Sequence, residues 1–182
     1  MKSIFIAAMI AFAGVVHAEE LSIFGLPLGG RLDSAVRNCP SDLTKQPQLC
    51  WLGKPFRSSS GALLGGASIS DKDLPSWASG HFPDVQVSKG GFLHSIIYSN
   101  NNRMFKDREK IVEAVRSRFG SPSVIEYRGT YSAKWENIPG RIEFACTQGN
   151  CYFDILSKSA VDELKKEKLK REIELKSRPS TL

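Results

Sequence analysis

The sequence predicts an α+β fold: an antiparallel meander sheet with one helix packed on a face, an N-terminal hairpin, a charged C-terminal helix and disulfide staples. Three observations carry this. Residues 107–119 hold one apolar stripe at helical spacing, between stretches rich in β-formers. Two turns, at 137–140 and 147–150, independently put the same side chains on one side of a pleat. Four cysteines, Cys39, Cys50, Cys146 and Cys151, follow a leader of secretory type.

The chain has 182 residues, 41% apolar and 24% charged, with a net charge of +6. These proportions are globular and exclude wholesale disorder, collagen and coiled coil. Lys2 supplies a positive n-region, and Ile4–Val16 carries no charge. Val16-His17-Ala18 then sets small residues at the −3 and −1 positions of a signal-peptidase site. The run is too short to span a bilayer as a stable helix. Residues 1–18 are therefore expected to be a signal peptide cleaved after Ala18, residues 19–157 a single α+β domain, and residues 158–182 a charged helical tail. The expected location is periplasmic or secreted. No cysteine follows the cleavage site, so no lipid anchor is expected there.

Residues 23–30 read IFGLPLGG, which lacks the GK[ST] ending of a phosphate loop. Gly29-Gly30 reads as a turn before a short helix over Leu32–Cys39. Ser58–Asp73 is rich in Ser and Gly and reads as a mobile loop that could hold a partner. Trp77, His81 and Phe82 follow in a Pro-bounded stretch. Trp77 suits a core edge or a ligand wall. His81 lies in a loop, where a Ser and an Asp could approach it.

Val85–Ser88 and Phe92–Tyr98 are β-rich and flank Lys89-Gly90, which predicts a hairpin. The helix over Asp107–Phe119 places Ile111, Val112, Val115 and Phe119 on one stripe. Asp107 suits its N-cap, Gly120 its stop, and Pro122 forbids continuation. Val124–Arg128 adds a strand.

Across Thr147-Gln148-Gly149-Asn150, Cys146 is expected opposite Cys151, Phe144 opposite Phe153 and Ile142 opposite Ile155. Period-2 alternation keeps all six on one face. Across Asn137-Ile138-Pro139-Gly140, Trp135 meets Ile142, Ala133 meets Phe144 and Tyr131 meets Cys146. A one-residue slip would expose every one of them.

Four cysteines allow three connectivities. The local pairs Cys39–Cys50 and Cys146–Cys151 are favoured, because opposed strand residues sit within disulfide reach. Neither pair has CxxC spacing, and the mature chain keeps only His81 and His94, so no metal and no cofactor are expected.

The same register fixes the outward face, where Lys134 lies opposite Glu143, and Glu143 opposite Asp154. Two carboxylates side by side repel, and can serve acid/base chemistry or cation binding. With Lys134 beside them they can equally form a solvated ladder. The candidate contact residues are Lys134, Glu143, Asp154, Trp77 and His81.

Residues 158–182 carry eight Lys/Arg against five Asp/Glu, a net +3. A helix over Ser159–Ser177 has i,i+4 Glu/Lys support, with Val161 and Leu164 able to dock. Its bases, Lys165, Lys166, Lys168, Lys170 and Arg171, could touch an anionic membrane or an acidic partner. Nucleic acid is not expected, because export removes it and no aromatics interleave.

The run VSKGGFLHSIIYSN, the helix end RFGSPS and the strand with AKW resemble small exported bacterial α+β proteins of unassigned function. Gly90, Phe119, Gly120, Pro122 and Trp135 stand in that pattern, which covers residues 84–157. The resemblance implies a scaffold and no catalytic residues. HExxH, GxSxG and SxxK are absent. The expected function is a non-catalytic periplasmic or secreted binding module for a protein or envelope component, of inhibitor or immunity type. The alternatives are an envelope hydrolase using His81 or the Glu143/Asp154 pair, and a membrane-surface adaptor working through the basic tail.

Overall fold

The computed structural model describes residues 21–177 apart from 33, 71, 73, 100, 101, 128 and 137. The expected leader, and the end of the tail past Ser177, lie outside the described residues.

The described chain opens on a hairpin, β1 (Leu21–Ile23) and β2 (Leu26–Leu28), with Ile23 opposite Leu26. Phe24 and Gly25 make its two-residue turn, at φ 53° and 70°. Two positive φ values are what the right-handed strand twist demands of so short a turn. Gly25 adopts its value freely, whereas Phe24 is held there against its own steric preference.

The expected helix over Leu32–Cys39 is not present. Arg31 bridges to Phe92 and Asn38 to Trp51, and the Cys39 N–H donates to the Trp51 carbonyl at 2.8 Å. Those backbone groups are taken up by cross-chain pairing, and Cys39 is bonded to Cys50. A 3₁₀ turn over Leu43–Lys45 leads into β3 (Leu49–Trp51) and β4 (Phe56–Arg57).

The Ser/Gly-rich stretch is the second correction. It contains β5 (Leu63–Ile69), paired with β3 and β4 on one side and with β6 (Asp84–Val87) on the other. Its glycines serve close approach: a Cβ on Gly65 would lie 3.2 Å from the Cα of Pro55.

β6 returns as β7 (Leu93–Ser99). The turn is wider than Lys89-Gly90. The Ser88 N–H donates to the Phe92 carbonyl at 2.9 Å, and Gly91 takes the positive φ of 80°. A bulge follows, with Val87 opposite Leu93 but Gln86 opposite Ser95, which leaves His94 between the paired positions.

A short helix α1 (Asn102–Lys106) precedes α2 (Arg108–Phe119), which buries Ile111 and Val115. Asp107 sits at the N-cap, but its carboxylate takes Lys110 Nζ at 3.0 Å and makes no cap bond. Gly120 stops the helix at φ 80°, and its carbonyl accepts the Trp135 indole N–H at 2.8 Å. That bond ties the helix end to the sheet.

The meander β8 (Ser123–Tyr127), β9 (Thr130–Trp135), β10 (Gly140–Thr147) and β11 (Asn150–Ser157) has the expected register at every pair named above. The β10–β11 turn is tighter than four residues: Thr147 pairs with Asn150, and only Gln148 and Gly149, at φ 51° and 83°, lie between. β11 also pairs with β7, which joins hairpin and meander into the order β3-β5-β6-β7-β11-β10-β9-β8. All strand pairs are antiparallel except β2 against β7, and the fold is α+β. Finally α3 (Lys158–Ser177) begins where Ser157 Oγ caps the Ala160 N–H at 3.2 Å.

Candidate functional site

The disulfides are Cys39–Cys50 and Cys146–Cys151, so both favoured pairings are present. Two disulfides suit an oxidising, extracellular-type compartment. Among the described residues no helix is long and apolar enough to cross a membrane.

Alternation along β10 and β11 sorts the side chains into two faces. Ile142, Phe144, Cys146, Cys151, Phe153 and Ile155 are buried under α2 and its neighbours. Glu143 and Asp154 fall on the other side. Register carries that line across the sheet as Ser123, Lys134, Glu143, Asp154, Ile97 and Asp84.

The row is not an open, solvated ladder. Glu143 is only 8% exposed. Lys134 Nζ lies 3.1 Å from its Oε1, the Tyr152 hydroxyl donates to the same oxygen at 3.1 Å, and Arg141 Nε stands 3.9 Å from its Oε2. Burial and the neighbouring Glu143 charge push the Tyr152 hydroxyl up to about 12. Burial first, then Glu143, raises the Asp154 carboxyl to about 6, against a partial offset from Arg141. The arrangement is one gripped carboxylate and one reluctant one, with Tyr152 and Lys134 partly exposed beside them.

Trp77 and His81 do not join this row. Phe153 points the opposite way from Asp154 and meets Trp77 edge-on, with ring centroids 5.2 Å apart. Trp77 is buried in an aromatic cluster with Phe24 at 6.0 Å and Tyr98 at 5.7 Å. It walls a cleft of about 450 Å³ between the β1–β2 hairpin and α2. His81 lines a second cleft of about 400 Å³, together with Thr44, Ser68 and Ser70. Among the described residues its ring makes no hydrogen bond; Asp71 and Asp73 lie outside those residues. A third cleft, of about 350 Å³, runs between Arg141 and the bases Lys165 and Lys168. The fourth lies among Pro27, Val36 and Leu49.

The tail helix docks only through its first turn, where Ala160 is buried. Leu164, expected to dock, is 46% exposed. Lys165, Lys166, Lys168, Lys170 and Arg171 are exposed, and Glu167–Arg171, Lys168–Glu172 and Lys170–Glu174 pair at 4.0 Å. No cluster of His, Cys, Asp and Glu able to hold a metal occurs among the described residues.

Sequence reasoning missed the β1–β2 hairpin and the cleft behind it. The signal was alternation across Phe24-Gly25, which the following Gly29-Gly30 masked. No family model matches the chain, and neither a curated protein nor a solved structure matches it.

Proposed function

We propose that the chain is exported and acts as a non-catalytic binding module, of inhibitor or immunity type, for another protein or an envelope component. Two disulfides and the Lys2 to Ala18 pattern support export. The observation that carries the binding reading is the fixed charged row: Glu143 is committed to Lys134 and Tyr152 on a strand stapled to its neighbour. Such preset charge and a part-exposed Tyr suit recognition, because tyrosine and paired charge lose little freedom on docking. Neither carboxylate lines any of the four clefts.

The test has two parts. Sequencing the protein recovered from the periplasm or medium is expected to start at Glu19. Partners captured by the whole protein from envelope extract are then titrated against the Lys134→Ala, Asp154→Asn and Tyr152→Phe variants. An affinity loss of about tenfold or more in the triple variant supports the row. Unchanged affinity removes it. One observation favours a second reading: Glu143 and Asp154 are carboxyls directly opposed across β10 and β11, and burial raises the Asp154 carboxyl, the form a general acid takes. Turnover of peptidoglycan or an ester that Glu143→Gln abolishes would replace the binding reading with a hydrolase.

A further inference from the structure

The cleft between the β1–β2 hairpin and α2 lies on the opposite side of the sheet from the charged row. Its walls are the part-buried rings of Phe24 and Phe119 together with the buried Trp77, Val115 and Phe153. Two features set it apart from a packing fault. Phe24 is held at φ 53°, and its ring stacks edge-on against both Trp77 and Tyr98. Strain in a non-glycine turn persists only where the surroundings over-determine it, and such positions gather at binding sites. In addition, the indole N–H of Trp77, a wall residue, is buried with no hydrogen-bond partner among the described residues.

Among the described residues the ionisable members of the lining are Lys72 and Arg118, both cations. Lys72 is flanked in sequence by Asp71 and Asp73, which lie outside the described residues. Arg118 therefore carries the assignment. It sits in the last turn of α2, its guanidinium 5.3 Å from the Phe119 ring centroid, and forms no ion pair among the described residues. We infer that this cleft binds an amphiphilic anion, a free fatty acid in form, with the acyl chain against Phe24, Trp77 and Phe153 and the carboxylate at Arg118. The volume suits a small-molecule site, and aromatic walls with Arg118 exposed at the rim match one apolar body and one negative head.

The test uses the purified full chain and calorimetry with dodecanoate below its micelle concentration. Dodecanol and dodecyltrimethylammonium serve as neutral and charge-reversed homologues. Dodecanoate is expected to bind saturably, about tenfold or more tighter than either homologue. Arg118→Gln is expected to weaken dodecanoate by about tenfold while leaving dodecanol unchanged. Ala114 is an exposed member of the cleft wall on α2, so Ala114→Trp fills the cleft from outside the core. It is expected to abolish binding with an unchanged circular dichroism spectrum. Binding that survives Ala114→Trp places the ligand elsewhere and overturns the inference. Equal affinity for all three amphiphiles, indifference to Arg118→Gln, or no saturable binding of dodecanoate also overturns it. Partner binding through the charged row is independent of every one of these outcomes.

Discussion

The inner and outer faces of the meander come from alternate residues of the same strands, and they are held by different forces. Inward, Phe144 and Ile142 are fully buried and the Cys146–Cys151 bond joins β10 to β11. Outward, Glu143 is nearly as buried but charged, and is satisfied by Lys134 and Tyr152. Burial alone therefore does not separate core from surface here. The inner face gains from removing apolar area from water, roughly 25 cal/mol per Å². The outer face gains little net, because ion pairing is set against desolvation.

The largest expected effect tests that difference directly. Phe144→Ala removes a ring that meets Phe153 and Tyr131, with centroids 6.2 and 6.0 Å away. It is expected to cost about 3–5 kcal/mol in urea unfolding, the usual range for deleting a buried aromatic. Lys134→Ala on the outer face is expected to cost about 1 kcal/mol or less, because that side chain is partly exposed. Equal losses would mean that both faces contribute alike, and the contrast would fail.

A smaller effect is expected from the staple. Replacing Cys146 and Cys151 together by Ser opens a loop of sequence separation 5. Chain-entropy reasoning puts the loss at about 2 kcal/mol, smaller than for longer loops. The strand pairs on either side, Phe144–Phe153 and Thr147–Asn150, should keep the register. Loss of cross-strand nuclear Overhauser effects between residues 144 and 153 in the double variant would show that the bond, not the side-chain alternation, sets the pairing.

Residues 131–155 were legible because two constraints agreed: period-2 alternation and two short turns permit one register only. The helix over 108–119 was legible from its stripe, with Gly120 and Pro122 closing it. The N-terminal half was misread where composition and pairing disagree. Gly65 and Gly66 look like linker residues, yet they lie in β5, where Pro55 and Trp51 pass close to Gly65 and Leu52 close to Gly66. Residues 32–39 have a plausible local helix pattern, and non-local pairing of Leu32 with Gly91 and of Arg37, Asn38 and Cys39 with Trp51 overrides it. In the candidate site, the row of Lys134, Glu143 and Asp154 followed from register alone. Its burial did not, since Tyr152 reaching Glu143 depends on side-chain placement. Nothing local in the sequence assigns Trp77 to the opposite side; its contact with Phe153 does.

A further expected effect concerns Asp154, and its sign distinguishes the outer face from an ordinary surface ladder. In such a ladder Lys134 would hold both carboxylates below their usual range, and replacing one would weaken the protein at neutral pH. Here the Asp154 carboxyl is raised from its ordinary 3.8 to about 6 by burial and by Glu143. A carboxyl raised on folding binds its proton more tightly in the native state. The stability it contributes is whole below about pH 4 and is lost as pH rises through about 6. Asparagine cannot ionise and escapes that loss. Asp154→Asn is therefore expected to match the parent near about pH 4 and to exceed it near about pH 7. Discounted for partial solvent access, the gain is about 1–2 kcal/mol, read as the pH dependence of the urea midpoint. A variant weaker than the parent at neutral pH would mean that ionised Asp154 is held by Arg141 more firmly than Glu143 repels it. The row would then be a mutually satisfied ladder, alike in kind to any exposed one, and its claim to be a preset recognition surface would rest on Glu143 alone.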